Sequence, residues 1–190
     1  MTSGRLLLIA ALAAAVSIVV LVLVGLPRLN RAKSPAPAAA SAAAPAVPGR
    51  KIKARLFYVS QDGLRLTGVE REVAYGEGTA NQAREIVNAQ LAGVAEPLVS
   101  PVPAGTKLRA LYVTERGEAY VDVSREAVSG HTGGSGDELL TIFAIVNALT
   151  VNLPAVTAVQ LLVDGKEIET LAGHVDLGRP LAKNMSWIEE

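Results

Sequence analysis

The stretch HTGGSGDELL, residues 131–140, carries side chains that could catalyse a hydrolysis. His131, Ser135 and Asp137 would be its base, nucleophile and acid, all within seven residues of one loop. In known triads the base and its orienting acid usually come from separate segments of the chain. The glycines also fit no catalytic or phosphate-binding motif. A nucleophile elbow would need a second glycine two residues after Ser135, and a Walker loop would need a lysine. A dinucleotide-binding loop would have to follow directly after a strand, and this stretch does not. We therefore predict no catalytic residue, and a hydrolase is the least favoured function.

The same residues are typical of the start of a helix. Ser135 followed three positions later by Glu138 forms a capping box, and Asp137 and Glu138 fall in the first turn, where the helix dipole favours negative charge. The glycines before Ser135 allow the sharp turn that leads into such a cap. The sequence thus predicts that Ser135 is an N-cap, and the acidic first turn disfavours the binding of a phosphate.

Metal binding is the next chemistry to consider. The candidate ligands are His131, His174, Asp137 and Asp176, since imidazole and carboxylate groups bind many divalent metals. The only close spacing among them is His174-x-Asp176, which is too short a pattern to identify a metal site. We predict neither a metal nor a cofactor.

Some polar and aromatic residues are better candidates for contacts with a partner. Asn147 interrupts an apolar run; if buried it must satisfy its amide by hydrogen bonds, and if exposed it could mark a contact surface. Trp187 lies in a short apolar patch of the polar C-terminal tail, where it could cover the domain or meet a partner. The possible interaction surface that we predict consists of His131, Thr132, Asn147, His174, Asp176 and Trp187.

Periodicity places these residues in an α+β domain. Three hairpins and two amphipathic or apolar helices alternate in the order ββ-α-ββ-α-ββ, and the loops between them are too short to hold separate domains. We predict two helices packed on one largely antiparallel sheet, preceded by a transmembrane helix. The predicted strands are 52–60, 64–75, 107–114, 118–124, 156–163 and 166–170, and the predicted helices lie within 76–94 and 138–150.

An apolar run without charges, residues 6–26, is long enough to cross a bilayer. A cleaved signal peptide is the competing interpretation, but the run exceeds a usual signal core and basic residues stand where cleavage would occur. We expect an uncleaved anchor, whose orientation the flanking charges do not decide. The predicted organisation is an anchor at 1–33, a Pro/Ala-rich spacer at 34–49, a folded domain at 50–183 and a tail at 184–190.

Charge and cysteine content limit the partners. The chain has no cysteine, so disulfides and thiolate metal sites are excluded. Residues 50–190 carry 14 Lys and Arg against 18 Asp and Glu. This net negative charge disfavours nucleic acid, which a clustered basic surface would bind.

Several spaced motifs resemble the GerMN domain of sporulation and spore germination proteins. They are the helix end Asn147-Ala-Leu-Thr, the proline turn at Pro154, the strand that contains Val159-Gln160, the hairpin Asp164-Gly-Lys, and the closing Gly173-His-Val-Asp followed by Pro180. The segments LFYVSQDGLRLTGVEREVA and PVPAGTKLRALYVTERGEAYVDVS resemble the first two hairpins of that family. Ala148 departs from the pattern, since many members have threonine there.

The resemblance implies a membrane-anchored domain on the extracytoplasmic side of the cytoplasmic membrane. It further implies a non-enzymatic module for assembly or protein interaction in the cell envelope, with a second copy or another envelope protein as partner. The alternative is a module that binds a cell-wall fragment such as a piece of peptidoglycan, or another small ligand. The family also occurs where no spores form, so its name is not taken as a function.

Overall fold

The computed structural model describes residues 49–131 and 133–189. The predicted transmembrane helix at 6–26 and nearly all of the predicted spacer lie outside these residues. Within the described ranges, no helix combines the length and apolar character needed to cross a membrane.

Eight strands and three helices make up the described chain. The strands are β1 (Lys51–Val59), β2 (Leu66–Ala74), β3 (Leu108–Val113), β4 (Glu118–Val123), β5 (Ala158–Val163), β6 (Lys166–Glu167), β7 (Leu181–Ala182) and β8 (Ile188–Glu189). The helices are α1 (Gly78–Leu91), α2 (Glu126–Ser129) and α3 (Ser135–Asn152).

The strands form two sheets, which corrects our prediction of one largely antiparallel sheet with two helices. The first sheet has the order β1-β2-β8, and the second has the order β3-β4-β5-β6, with β7 also paired to β5. The β1–β2 hairpin keeps a continuous register from Lys51 opposite Ala74 to Val59 opposite Leu66. It joins a different sheet from the β3–β4 hairpin, because α1 and a 16-residue connection, residues 92–107, separate the two hairpins.

Parallel pairing is the second correction. Strand β5 runs parallel to β4, and β8 runs parallel to β2. The reason for the first pair is the helix between its strands: 18 residues of α3 span about 27 Å and return the chain to the end of the sheet from which β4 started. Sequence periodicity identifies each strand but does not carry this information.

Helix α3 forms the centre of the hydrophobic core. It is buried along most of its length, as its apolar sequence predicts, and it packs against β1, α1 and β5. Ile142, Ala144 and Val146 have no exposed surface. Such a helix cannot present a charged face to water, so its few polar side chains must find partners inside the protein.

Candidate functional site

The first turn of α3 does not have the predicted cap. Ser135 is the first helical residue, the N-cap is Gly134, and no side chain caps the helix. Gly133 and Gly134 have φ values of 89° and 99°, in the left-handed region that glycine adopts without strain. The glycines therefore make the turn as predicted, but the capping box of Ser135 and Glu138 is wrong.

Glu138 instead binds a loop that lies more than thirty residues further along the chain. Its side chain is fully buried. One carboxylate oxygen, Oε1, accepts the backbone N–H groups of Leu171 and Ala172, both at 2.9 Å. The other, Oε2, accepts the backbone N–H of His174 at 2.9 Å and lies 3.1 Å from its Nδ1. The carboxylate thus organises the turn between β6 and the C-terminal segment.

The protonation of Glu138 reflects two opposing effects. Burial raises the pKa of this carboxyl, because a charge is poorly solvated inside the protein, whereas the backbone N–H groups of residues 171, 172, 174 and 175 stabilise the anion and lower the pKa. The net pKa lies below its ordinary value. Glu138 is therefore held as an anion by a nest of main-chain donors.

Asn147 fixes the C-terminal tail in a similar way. It is fully buried, so the first of the two interpretations of this residue is correct. Its Nδ2 donates to the carbonyl of Asn184 at 2.7 Å, and its Oδ1 accepts the N–H of Asn184 at 3.0 Å. One side-chain amide thereby satisfies both main-chain groups of a residue 37 positions away.

Three more of the predicted surface residues, His174, Asp176 and Trp187, lie along the segment that these side chains hold. The His174 side chain is half exposed, and Asp176 is exposed, with its Oδ1 accepting the N–H of Gly178 at 2.9 Å. Trp187 is half-buried against the core, and its carbonyl accepts the N–H of Leu66 at 2.7 Å. The tail therefore covers the domain through β8. Whether these residues also meet a partner stays a prediction.

His131 lies in the connection between α2 and α3. Its Nδ1 accepts the N–H of Gly133 at 3.1 Å, and its Nε2 lies 3.4 Å from Oγ1 of Thr141, which donates to the carbonyl of Pro101. Both ring nitrogens are thus directed at groups other than Ser135. Thr132 lies outside the described residues.

Both histidines contact the first two turns of α3. His131 contacts Thr141, and His174 contacts Glu138. Across residues 49–131 and 133–189, no cluster of three or more His, Cys, Asp or Glu side chains could hold a metal ion. The side chains that could ligate a metal are distributed among separate hydrogen-bonded turns, which is an arrangement suited to fixing loops.

Sequence reasoning missed further amide side chains that bind the main chain, among them Gln90, Asn152 and Gln160. Gln90 pairs with both backbone groups of Phe57, at 2.9 and 2.7 Å, and Asn152 does the same for Arg55, at 2.8 Å for both bonds. Gln160 donates to the carbonyl of Leu177 at 2.6 Å. The signal that could have found Gln90 is its position in line with Ile86 on the buried stripe of α1, where an amide must have a partner.

The first two of these side chains protect the outer edge of β1. Arg55 and Phe57 are alternate residues of that edge, and the next alternate residue, Val59, donates to the carbonyl of Val99 at 2.9 Å. An edge strand with free main-chain groups would pair with other chains. Along this part of β1 the groups are already engaged.

A family model described as Germane, sporulation and spore germination, matches residues 55–169, more than half of the chain. No curated protein matches the sequence significantly.

Three solved structures share the fold. A candidate lipoprotein from Clostridium perfringens is 21% identical, with a TM-score of 0.51, over 75% of this chain and 93% of the other. The first GerMN domain of the sporulation protein GerM from Bacillus subtilis is 17% identical, with a TM-score of 0.55, over 69% and 97% of the two chains. The tandem GerMN domains of the same protein are 15% identical, with a TM-score of 0.55, over 70% of this chain and 46% of theirs. On the extent of the family match, the chain belongs to the Germane family of sporulation and spore germination domains.

Proposed function

We propose that this protein is a non-enzymatic module for assembly or protein interaction on the extracytoplasmic side of a membrane. The observation that carries the proposal is the use of the buried polar side chains. Glu138, Asn147, Gln90 and Gln160 each bind main-chain groups of a distant segment, so they build the surface of the domain and hold it in one shape. A rigid domain whose buried polar side chains form hydrogen bonds with its own loops is suited to presenting fixed surfaces to other proteins.

Family membership and the sequence support the cellular setting. The family takes its name from sporulation and spore germination, and one structural relative is a candidate lipoprotein, a class of protein held at a membrane. In this chain the apolar run at residues 6–26 supports membrane association, and the negative charge of residues 50–190 disfavours nucleic acid as a partner.

Two experiments test the setting and the role. A C-terminal phosphatase reporter that is active only outside the cytoplasm should be active in the membrane fraction. The detergent-extracted chain, crosslinked in the membrane beforehand, should sediment as a complex with a second copy or with another envelope protein. A chain that sediments as a monomer after crosslinking, or a reporter that is inactive, would remove the basis of the proposal.

The non-enzymatic role has its own test. Ser135→Ala and His131→Ala should leave any measured hydrolytic activity of the membrane preparation unchanged. A hydrolytic activity that copurifies with the chain and disappears in both variants would show that the protein is an enzyme.

A further inference from the structure

Two tyrosines lie side by side on the outer face of the second sheet. Tyr112 on β3 and Tyr120 on β4 are directly opposite each other in the antiparallel register, so their side chains project from the same face with Cβ atoms about 5 Å apart. The residues next to them along the strands, Leu111 and Val121, point the other way and are fully buried in the core. Tyr112 is 46% exposed and Tyr120 is partly exposed. The pair therefore lies on the face that the core does not use.

The other two tyrosines of the chain already have a place in the fold. Tyr58 is buried, and the guanidinium group of Arg50 lies over the ring of Tyr75, 3.8 Å from its centroid. Aromatic residues are few in this chain, with two Phe, one Trp and four Tyr. An adjacent pair of exposed tyrosine rings is thus a distinct surface, and such rings contribute a large contact area to ligands and partners.

The C-terminal segment closes one side of this pair. Tyr120 is in register with Gln160 on β5, which is buried on the same face and whose amide donates to the carbonyl of Leu177 at 2.6 Å. Leu177 is itself buried, so the segment around it covers this part of β5. On the other side, β3 is the last strand of the sheet. We call the surface of Tyr112 and Tyr120, between the covering segment and the sheet edge, the tyrosine platform.

Ion pairs border the platform at both ends of β4. Glu118 and Asp122 lie two residues on either side of the β4 tyrosine, and therefore on the same face. Nη2 of Arg116 lies 3.8 Å from Oε2 of Glu118. Nη1 of Arg109 lies 3.9 Å from Oδ2 of Asp122 and donates to Oδ1 of Asp164 at 2.9 Å. Carboxylate and guanidinium groups are thus paired beside the rings, and the two arginine side chains remain 84% and 43% exposed.

This combination of groups limits the chemistry of a ligand. A strongly charged ligand would gain little net attraction, because charges of both signs are paired beside the rings. An apolar polypeptide would cover the rings, but it would also remove the bordering ionic groups from water without replacing their hydrogen bonds. A sugar ring has neither disadvantage. Its C–H face can stack on an aromatic ring, and its hydroxyl groups can donate to a carboxylate and accept from a guanidinium group.

From these observations we infer that the tyrosine platform binds a neutral polysaccharide, with its sugar rings stacked on Tyr112 and Tyr120. The bordering ion pairs supply hydrogen bonds to the sugar hydroxyl groups. This binding activity is additional to the proposed assembly role and does not depend on it. It also involves neither Glu138 nor Asn147.

Isothermal titration calorimetry with the full-length chain tests the inference. The chain is extracted in a detergent without a sugar headgroup, since a sugar headgroup would compete for the platform. The probes are chitotetraose and cellotetraose, two neutral β-linked oligosaccharides that differ in the N-acetyl groups carried by wall glycans, and a sulfated heparin tetrasaccharide as the charged comparison. We expect saturable binding of at least one neutral probe and none of the heparin probe. The preferred neutral probe then tells a wall-type glycan from a polysaccharide without amino sugars.

Substitutions at the platform assign the binding to the rings. Tyr112→Thr removes an exposed ring and keeps a side chain suited to a strand, so the variant should fold and should bind the neutral probe about tenfold more weakly. Tyr112→Phe keeps the ring and should bind within about twofold of the wild type. Tyr75→Thr is the matched control, because it makes the same change in the connection after β2 and should leave the affinity unchanged. Circular dichroism verifies that each variant is folded.

Several results would overturn the inference. They are the absence of binding to both neutral probes, tighter binding of the heparin probe, and equal affinity of the wild type and Tyr112→Thr. The crosslinked complex that tests the assembly role should form equally well in Tyr112→Thr, and its loss would identify the platform as a protein interface instead. An intact complex without any sugar binding would leave the assembly role standing and exclude the glycan site.

Discussion

Replacing Glu138 by glutamine should destabilise the domain strongly although the two side chains have nearly the same size. The carboxylate accepts three backbone N–H groups, two on Oε1 and one on Oε2, and Oε2 also lies 3.1 Å from Nδ1 of His174. In the variant one oxygen remains and can still accept two N–H groups. The amide NH₂ would then face the N–H of His174 and its ring nitrogen, so at least one donor loses its acceptor.

The magnitude follows from these bonds. Each hydrogen bond to a charged group contributes about 1.5–3 kcal/mol net, and the two that remain on a neutral oxygen are weakened as well. Burying a neutral amide costs less than burying a carboxylate, and this offsets part of the loss. We expect the free energy of unfolding to fall by about 3 kcal/mol, which for a domain of this size lowers the melting temperature by about 10 °C.

The effect should depend on pH in a direction set by the lowered pKa of Glu138. A carboxyl whose folded pKa is depressed contributes stability above its unfolded pKa of about 4.3, and this contribution is lost as the pH falls through the folded value. The difference in stability between the wild type and Glu138→Gln should therefore be complete at pH 7 and shrink as the pH is lowered below about 4.

Urea unfolding followed by circular dichroism at pH 7 and at pH 3 measures both quantities. Glu167→Gln is the matched control, since it makes the same chemical change at an exposed position of β6 and should change the free energy of unfolding by less than about 0.5 kcal/mol. If Glu138→Gln unfolds within 1 kcal/mol of the wild type at pH 7, or if the difference does not change at low pH, the carboxylate does not hold the loop as described.

Two further substitutions test other buried polar contacts, and a third tests the absence of a side-chain cap on α3. Asn147→Leu leaves both main-chain groups of Asn184 without partners, so we expect a loss of about 2–4 kcal/mol in urea unfolding and faster tryptic cleavage of the tail; an unchanged cleavage rate would contradict the clamp. Gln90→Leu should speed amide hydrogen exchange at Phe57, with a similar loss of stability, and exchange at the wild-type rate would show that β1 does not need this contact. Ser135→Ala should change the free energy of unfolding by less than about 0.5 kcal/mol, because no cap hydrogen bond is lost. A loss of about 1 kcal/mol would show that Ser135 caps the helix after all.

The order of the main elements could be read from local patterns. Alternating apolar residues located the strands of the β1–β2 and β3–β4 hairpins to within a few residues, and Asp164-Gly165 marked the turn between β5 and β6, where Asp164 has a positive φ of 51°. The apolar run of α3 predicted its deep burial. The short strands β7 and β8 carried no such pattern, since each has two residues and forms only because its partner strand lies beside it.

The candidate site was predictable only in part. Asn147 drew attention because a polar residue in an apolar helix must be satisfied, but its partner Asn184 lies 37 residues away and no local rule identifies it. Ser135 and Glu138 matched a capping box at the spacing of one helical turn, yet the carboxylate turned toward the loop at 171–174, where more donors converge than the helix start offers.

The sequence by itself determined where the chain forms hairpins and helices, which helix is buried, and which family the domain resembles, because these depend on short-range periodicity and on motifs in order. The tertiary structure alone decided the division into two sheets, the parallel pairing of β4 with β5, and the partners of Glu138, Asn147, Gln90 and Gln160. It also brought the turn after β1, the connection from α1 to β3 and the start of α3 together around one cleft. The physical reason is the same in each case: a buried main-chain or polar group must be satisfied, and which group satisfies it depends on what the folded chain brings within hydrogen-bonding distance.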